Sequence, residues 1–254
     1  MTIRLHHNPS ANVRLNFGIE LFRAKDRVET CLSHLQGHHA VLEKMGIDTK
    51  VFSSDPRWLS QEGVWVIQLI DLDNNHIIGG ERIHIYNGKD QLPFAKAVQK
   101  EAPQVNDLVK NYAIQGTGEL CGLWINRDYA NMRLTNIMTQ FGVAAAKILQ
   151  LNSLFIFCAD YTLGPVELAG FLPVSHIGEQ GRFRYPLPSM TATVLQIKKM
   201  DSLDLANERF RSTINGLFET PKDKLITAIE NFSFNIEYNI LPEIGKTFAF
   251  KKST

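Results

Sequence analysis

The chain has 254 residues, 44% of them hydrophobic and 21% charged, with 27 Lys+Arg against 26 Asp+Glu and a formal net charge of +1. These values describe a soluble globular protein with one large domain, or one domain and an appendage. They exclude low-complexity and collagen-like chains, and a nucleic-acid binder whose affinity comes from bulk positive charge.

The longest apolar runs, such as 154–159, are far too short to cross a bilayer. Residues 1–30 carry scattered charges and no apolar block, so no signal peptide is expected. Cys31, Cys121 and Cys158 are odd in number, widely spaced and set in apolar stretches. They read as the reduced thiols of a cytoplasmic protein.

In chain order, residues 1–12 are a polar lead-in. Val13, Leu15, Phe17, Ile19 and Leu21 alternate at period two and predict a strand to about Ala24. Asp26 reads as the N-cap of a helix that runs to about Met45, with Gly46 as its stop. Residues 48–62 look irregular. Val64 to Leu72 and Ile77 to Tyr86 predict two strands of a hairpin around Asp73-Asn74-Asn75. Gly79-Gly80 within the second strand signals a bulge or a close approach by another group.

Residues 94–109 read as partly helical, interrupted by Pro103. Glu119 to Ile125 is a buried strand, 127–131 a polar connection, and 132–149 a helix with one apolar face. Ser153 to Ala159 is a second buried strand, and 163–169 a short helix with Pro165 in its first turn and Gly170 as its stop. Residues 185–198 are extended. Two helical segments, 203–218 and 221–231, and a mixed tail complete the reading. The strand–helix–strand unit over 119–159 implies a right-handed crossover and a parallel pair inside a sheet that is otherwise antiparallel. The fold class is therefore a mixed α/β sheet with helices on both faces.

This order resembles the GNAT acyltransferases. The residues that carry the resemblance are Gly118-Glu119-Leu120-Cys121-Gly122-Leu123-Trp124-Ile125-Asn126, the helix 132–149, Leu154 to Ala159, and Glu167-Leu168-Ala169-Gly170-Phe171. Ile78-Gly79-Gly80-Glu81-Arg82-Ile83 and Glu119 further resemble the acyl-homoserine lactone synthases and N-acyl amino acid synthases. The resemblance implies a GNAT-like domain over 1–200 and a C-terminal helical extension over 201–254 packed on it. It implies transfer of an acyl group from acyl-CoA or an acyl-phosphopantetheine carrier protein to the amine of a small molecule or amino acid, with no metal.

The implied roles are residue by residue. Glu119 takes the base position, and Tyr161 stands nearest the acid position. Leu123, Trp124 and Ile125 lie on the strand that meets the thioester. Arg127, Arg133, Leu134 and Thr135 lie at the phosphate-binding loop and helix start, while Glu81 and Arg82 meet the acceptor. Four positions depart from the family pattern. Gly122 replaces an arginine, Val166 the usual tyrosine, and Arg133 and Thr135 the loop glycines.

Other readings stand beside these. The departures also fit a GNAT-fold module that binds acyl thioesters without catalysis, or a partner-binding protein. Trp65, Phe155 and Phe157 are core residues or walls of an acyl tunnel. His34 and His38 have the i, i+4 spacing of zinc ligands but lack a third acidic ligand, so a polar helix face is the expectation. The apolar residues after 201 either close the acyl pocket or form a dimer interface.

Overall fold

The computed structural model describes residues 13–47, 56–229 and 232–242. Strand β1 (Val13–Arg23) leads through a 3-10 turn into helix α1 (Val28–Lys44). Strands β2 (Val64–Asp71) and β3 (His76–Ile85) form a hairpin, followed by short helices α2 (Pro93–Val98) and α3 (Val105–Ala113). Strand β4 (Thr117–Ile125), a 3-10 segment (Arg127–Met132), helix α4 (Leu134–Ile148), strand β5 (Ser153–Ala159) and helix α5 (Leu163–Leu168) come next. The remaining elements are β6 (Leu172–Pro173), β7 (Arg182–Arg184), β8 (Thr191–Ile197), helix α6 (Glu208–Glu219), β9 (Lys222–Ile229) and β10 (Phe232–Asn239).

The strands build one sheet in the order β6, β8, β5, β4, β3, β2, β1, β10, β9, with β7 also paired to β8. β4 and β5 are parallel, as the crossover implies, and so are β1 and β10. The other pairs are antiparallel.

Period two decides which residues meet which helices. Ile67 and Leu69 of β2, Leu120 of β4 and Ile156 of β5 point to one face, where α4 and α6 complete the main core. On the other face, Phe22, Val64 and Val66 pack with Cys31 and Leu35 of α1. Phe155 and Val194 pack there with Phe94, Val98 and Leu108 from α2 and α3. Helices thus cover both faces, as expected.

Helix ends follow local chemistry in part. Gly46 (φ 72°) and Gly170 (φ 93°) take the left-handed conformation that closes α1 and α5. Asp26 does not cap α1. It binds Arg23 at the end of β1 at 3.0 Å, and Arg27 occupies the N-cap with its side chain paired to Glu20 at 2.8 Å and not to the helix amides. Residues 94–109 resolve into α2 and α3 on either side of Pro103.

The expectation of a second C-terminal helix over 221–231 is corrected by β9 and β10. Phe232, Phe234, Ile236 and Tyr238 alternate toward the core, and β10 adds to the edge of β1 along eight residue pairs. An unpaired β1 would leave a row of amides and carbonyls open. Over its described residues the extension is therefore one helix plus two strands that continue the sheet. Expectations that fall on 1–12, 48–55, 230–231 and 243–254 lie outside the described residues.

Candidate active site

β4 and β5 pair only from Thr117 with Ser153 to Leu120 with Ile156. Beyond that point they diverge. On its other side β4 carries a bulge: Gly80 pairs with Trp124 and Arg82 with Cys121, so three steps of β4 oppose two of β3. Gly122 stands inside the bulge with φ 64°, a left-handed value that glycine adopts without strain. From Cys121 and Phe157 onward the facing edges of β4 and β5 have no strand partner in each other.

A cleft of about 140 Å³ fills this divergence. Its walls include Glu81, Leu120, Cys121, Gly122 and Leu123, then Ile156, Cys158, Tyr161 and Val166, with His38 and Leu42 of α1 on the other side. A larger cavity of about 250 Å³, between Gly170, Gln196, Lys199 and Leu205, shares no residue with it and contains none of the expected site residues. The unpaired strand edges, and not size, single out the smaller cleft.

The α1 face of the sheet is polar beside this cleft. Arg82 is fully buried, with its guanidinium 4.3 Å above the Trp58 ring and Nη2 3.9 Å from Cys121 Sγ. His84 is the cross-strand partner of Glu119. Gly80 leaves room for α1: a Cβ there would meet the His34 ring at 2.7 Å, which is the close approach expected at the glycine pair. His34 Nε2 accepts a bond from the Trp124 indole at 3.2 Å, so its Nδ1 carries the proton. That Nδ1, His38 Nδ1 and His84 Nε2 are buried without a hydrogen-bond partner among the described residues. Burial, with Arg82 adding, lowers the His38 pKa to about 3 and holds His34 and His84 well below the ordinary value. All three are neutral imidazoles at physiological pH.

Glu119 is 2% exposed and accepts a hydrogen bond from the Phe94 amide at 2.8 Å. Burial raises its pKa to about 8, against the opposing effects of that bond, Arg82 and Lys96. It does not itself line the cleft; Cys121, two residues along on the same face, does. Cys121 and Cys158 are pushed by burial to about 12 and about 11 and stay thiols. Tyr161 lines the cleft, 67% exposed, with its pKa raised by burial and by Cys158.

The phosphate-binding residues separate by kind. The Trp124 side chain turns under α1, where its ring fills the space left by Gly37, so only its backbone faces the neighbouring strands. Leu134 is a core residue, Thr135 and Ile125 are half-buried, and Leu123 is a cleft wall. Arg127 and Arg133 are exposed at the start of α4. Arg133 is the N-cap with φ 52°. The left-handed backbone there is what a glycine would supply. Tyr129 Oη donates to Asp71 at 2.5 Å and fixes the segment before α4 to the β2–β3 turn. Asp71 also accepts from Asp73 N, Asn74 N and Asn74 Nδ2, and these bonds hold its pKa below the usual value.

Arg82 and Glu81, expected to meet the acceptor together, point to opposite faces. Arg82 lies under α1, while Glu81 faces α4, where a Cβ on Gly142 would be 2.6 Å from its Oε1. His34 and His38 are buried against the sheet, which corrects the expectation of a polar helix face; among the described residues no group of three or more candidate metal ligands occurs. Sequence reading missed His38, Gly122 and Gly142 as parts of the site. Gly122, in the middle of strand residues 117–125, was the available signal for the bulge.

No family model matches the sequence, and no curated protein does. Solved structures match its shape. FeeM, an N-acyl amino acid synthase from uncultured soil microbes, aligns with a TM-score of 0.53 at 12% identity, over 70% of this chain and 95% of FeeM. MesI, a CoA-dependent acyl-homoserine lactone synthase, aligns with a TM-score of 0.50 at 13% identity, over 78% of this chain and 95% of MesI. The chain has their fold. The fold expected from residues 118–171 is thus present, including the β4–α4–β5 crossover. Among the described residues no helix is long and apolar enough to cross a membrane.

Proposed function

We propose that the protein is an N-acyltransferase that moves an acyl group from acyl-CoA, or from the phosphopantetheine of an acyl carrier protein, to the amine of a small molecule or amino acid in the cytoplasm. The observation that carries this reading is the divergence of β4 and β5 beyond Leu120 and Ile156, with its bulge at Gly122. Unpaired strand edges offer amides and carbonyls to an extended pantetheine arm as if it were a strand. The start of α4 offers free amides, a positive dipole end and two exposed arginines to phosphate.

The amine approaches from the polar α1 face. Glu119 accepts its proton, directly or through one water beside Cys121. The nitrogen attacks the thioester carbon, the C–N bond forms and the C–S bond breaks. The thiolate takes a proton from the Tyr161 hydroxyl, which its raised pKa keeps protonated.

The test is turnover. Purified protein with short- and long-chain acyl-CoA and an amino-acid pool is expected to release free thiol. Glu119→Gln is expected to lower kcat by roughly 10²–10⁴-fold with little change in donor binding. Thiol release from none of the donors, under conditions where a control acyltransferase works, sinks the reading. A second reading, a thioester-binding module without catalysis, is favoured by the seat of Glu119 outside the cleft. It wins if calorimetry shows donor binding and Glu119→Gln leaves turnover unchanged.

A further inference from the structure

Glu81 stands in the middle of β3 and is 1% exposed. Its Oε1 has no hydrogen-bond partner among the described residues. The neighbourhood is built around it. Gly142, inside α4, leaves the space that a Cβ would take from Oε1 at 2.6 Å. Glycine inside a helix is unfavourable, so its presence opposite Glu81 reflects a packing need.

A buried carboxyl whose Oε1 has no partner is held as the neutral acid, because the anion gives up its water without a compensating bond at that oxygen. Burial accordingly drives the Glu81 pKa well above the ordinary value. As an acid it carries one O–H donor, which on Oε1 meets no acceptor among the described residues.

Its position decides what that donor meets. Glu81 lines the cleft together with Leu120 and Ile156, the last residues of the paired segment, and with Gly122 of the bulge. Glu81 Oε1 and the Leu120 side chain both border Gly142, so the carboxyl lies beside the residue at which β4 and β5 part. The other walls on the α4 side are apolar: Leu120, Ile156 and Val166. An acyl thioester that enters between β4 and β5 and meets an amine from the α1 face brings its carbonyl to this point.

We propose that Glu81 is a carboxylic acid that donates its O–H to the carbonyl oxygen of the bound acyl thioester. The inference rests on the acyltransferase reading above. When the amine attacks, the carbonyl π pair moves onto oxygen, and the Glu81 hydrogen bond holds the oxyanion. When the oxyanion collapses, the C–S bond breaks and its pair leaves on sulfur. Glu81 keeps its proton throughout, so it acts as an electrostatic catalyst beside the strand amides.

Octanoyl-CoA labelled with carbon-13 at the thioester carbonyl tests this by difference infrared spectroscopy. Bound to the wild-type protein, the carbonyl band is expected at lower frequency than in water. Glu81→Leu is expected to bind the donor, abolish that displacement and lower kcat about 100-fold. Glu81→Gln, which keeps the shape and offers a weaker N–H donor, is expected to give an intermediate displacement, and it also serves if the leucine variant does not fold. A wild-type band that is not displaced, or a displacement that persists unchanged in both variants, overturns the role of Glu81 while donor binding preserves the acyltransferase reading. No binding of the donor to wild-type protein overturns both.

Discussion

Arg133 places two demands on one residue. Its backbone is left-handed (φ 52°), where a side chain crowds the following carbonyl at a cost of about 1 kcal/mol. Its guanidinium is exposed where a phosphate would meet the first amides of α4. Arg133→Gly separates the demands. The urea midpoint is expected to rise by the equivalent of about 1 kcal/mol, while CoA affinity falls and becomes less sensitive to salt. Unchanged CoA affinity would place the phosphate elsewhere. Much of the site was legible at this scale: Arg82, Glu119 and Arg133 are charges in or beside apolar elements, and such residues stand out. The faces of Glu81 and Arg82 follow from period two alone. His38 and Gly142 were not legible, because their meaning depends on a cleft wall and a carboxyl contributed by distant segments.

At the scale of elements, β9 and β10 show where a local pattern misleads. Leu225, Ile226 and Ile229 fit helical spacing, yet Ile226 is 73% exposed and β9 is the sheet's outer strand. What decides the outcome is β10, whose inward residues fit beside β1: Phe234 is fully buried and stacks on Phe17 with centroids 5.7 Å apart. A pairing between residues 13–20 and 232–239 joins opposite ends of the sequence and leaves no mark in a short window. The β2–β3 hairpin and the β4–α4–β5 crossover were legible because each is contiguous. Phe234→Ala is expected to cost about 3–5 kcal/mol in urea unfolding, with a single transition retained. A loss below about 1 kcal/mol, or a separate first transition, would mean that the C-terminal strands are an appendage and not part of the one core.

For the whole molecule, the buried ionisable groups oppose one another in pH. His38, with a folded pKa of about 3, is neutral in the native state but charged in the unfolded chain below about 6.5. His34 and His84 shift the same way, so these three remove stability as pH falls below about 6.5. Glu119, at about 8, stays protonated in the native state while the unfolded carboxyl ionises near 4.3. Its contribution, and that of Glu81, is full below pH 4.3 and is lost as pH rises to about 8 for Glu119 and through the raised value for Glu81.

Between about 4.3 and 6.5 three imidazoles outweigh two carboxyls, and stability climbs with pH. Above 6.5 only the carboxyls remain, and it declines. Urea midpoints measured from pH 4 to 9 are therefore expected to crest near pH 6.5. His38→Gln should soften the acid limb and Glu119→Gln the alkaline one, each by at most about 1.4 kcal/mol per pH unit. A flat profile from 6.5 to 8 would contradict the raised carboxyl pKa values. Acyl transfer runs against this trend, because Glu119 accepts a proton only when ionised. Turnover is expected to rise toward pH 8 while the fold weakens, so the ionisation that Glu119 needs for chemistry is the one its burial opposes.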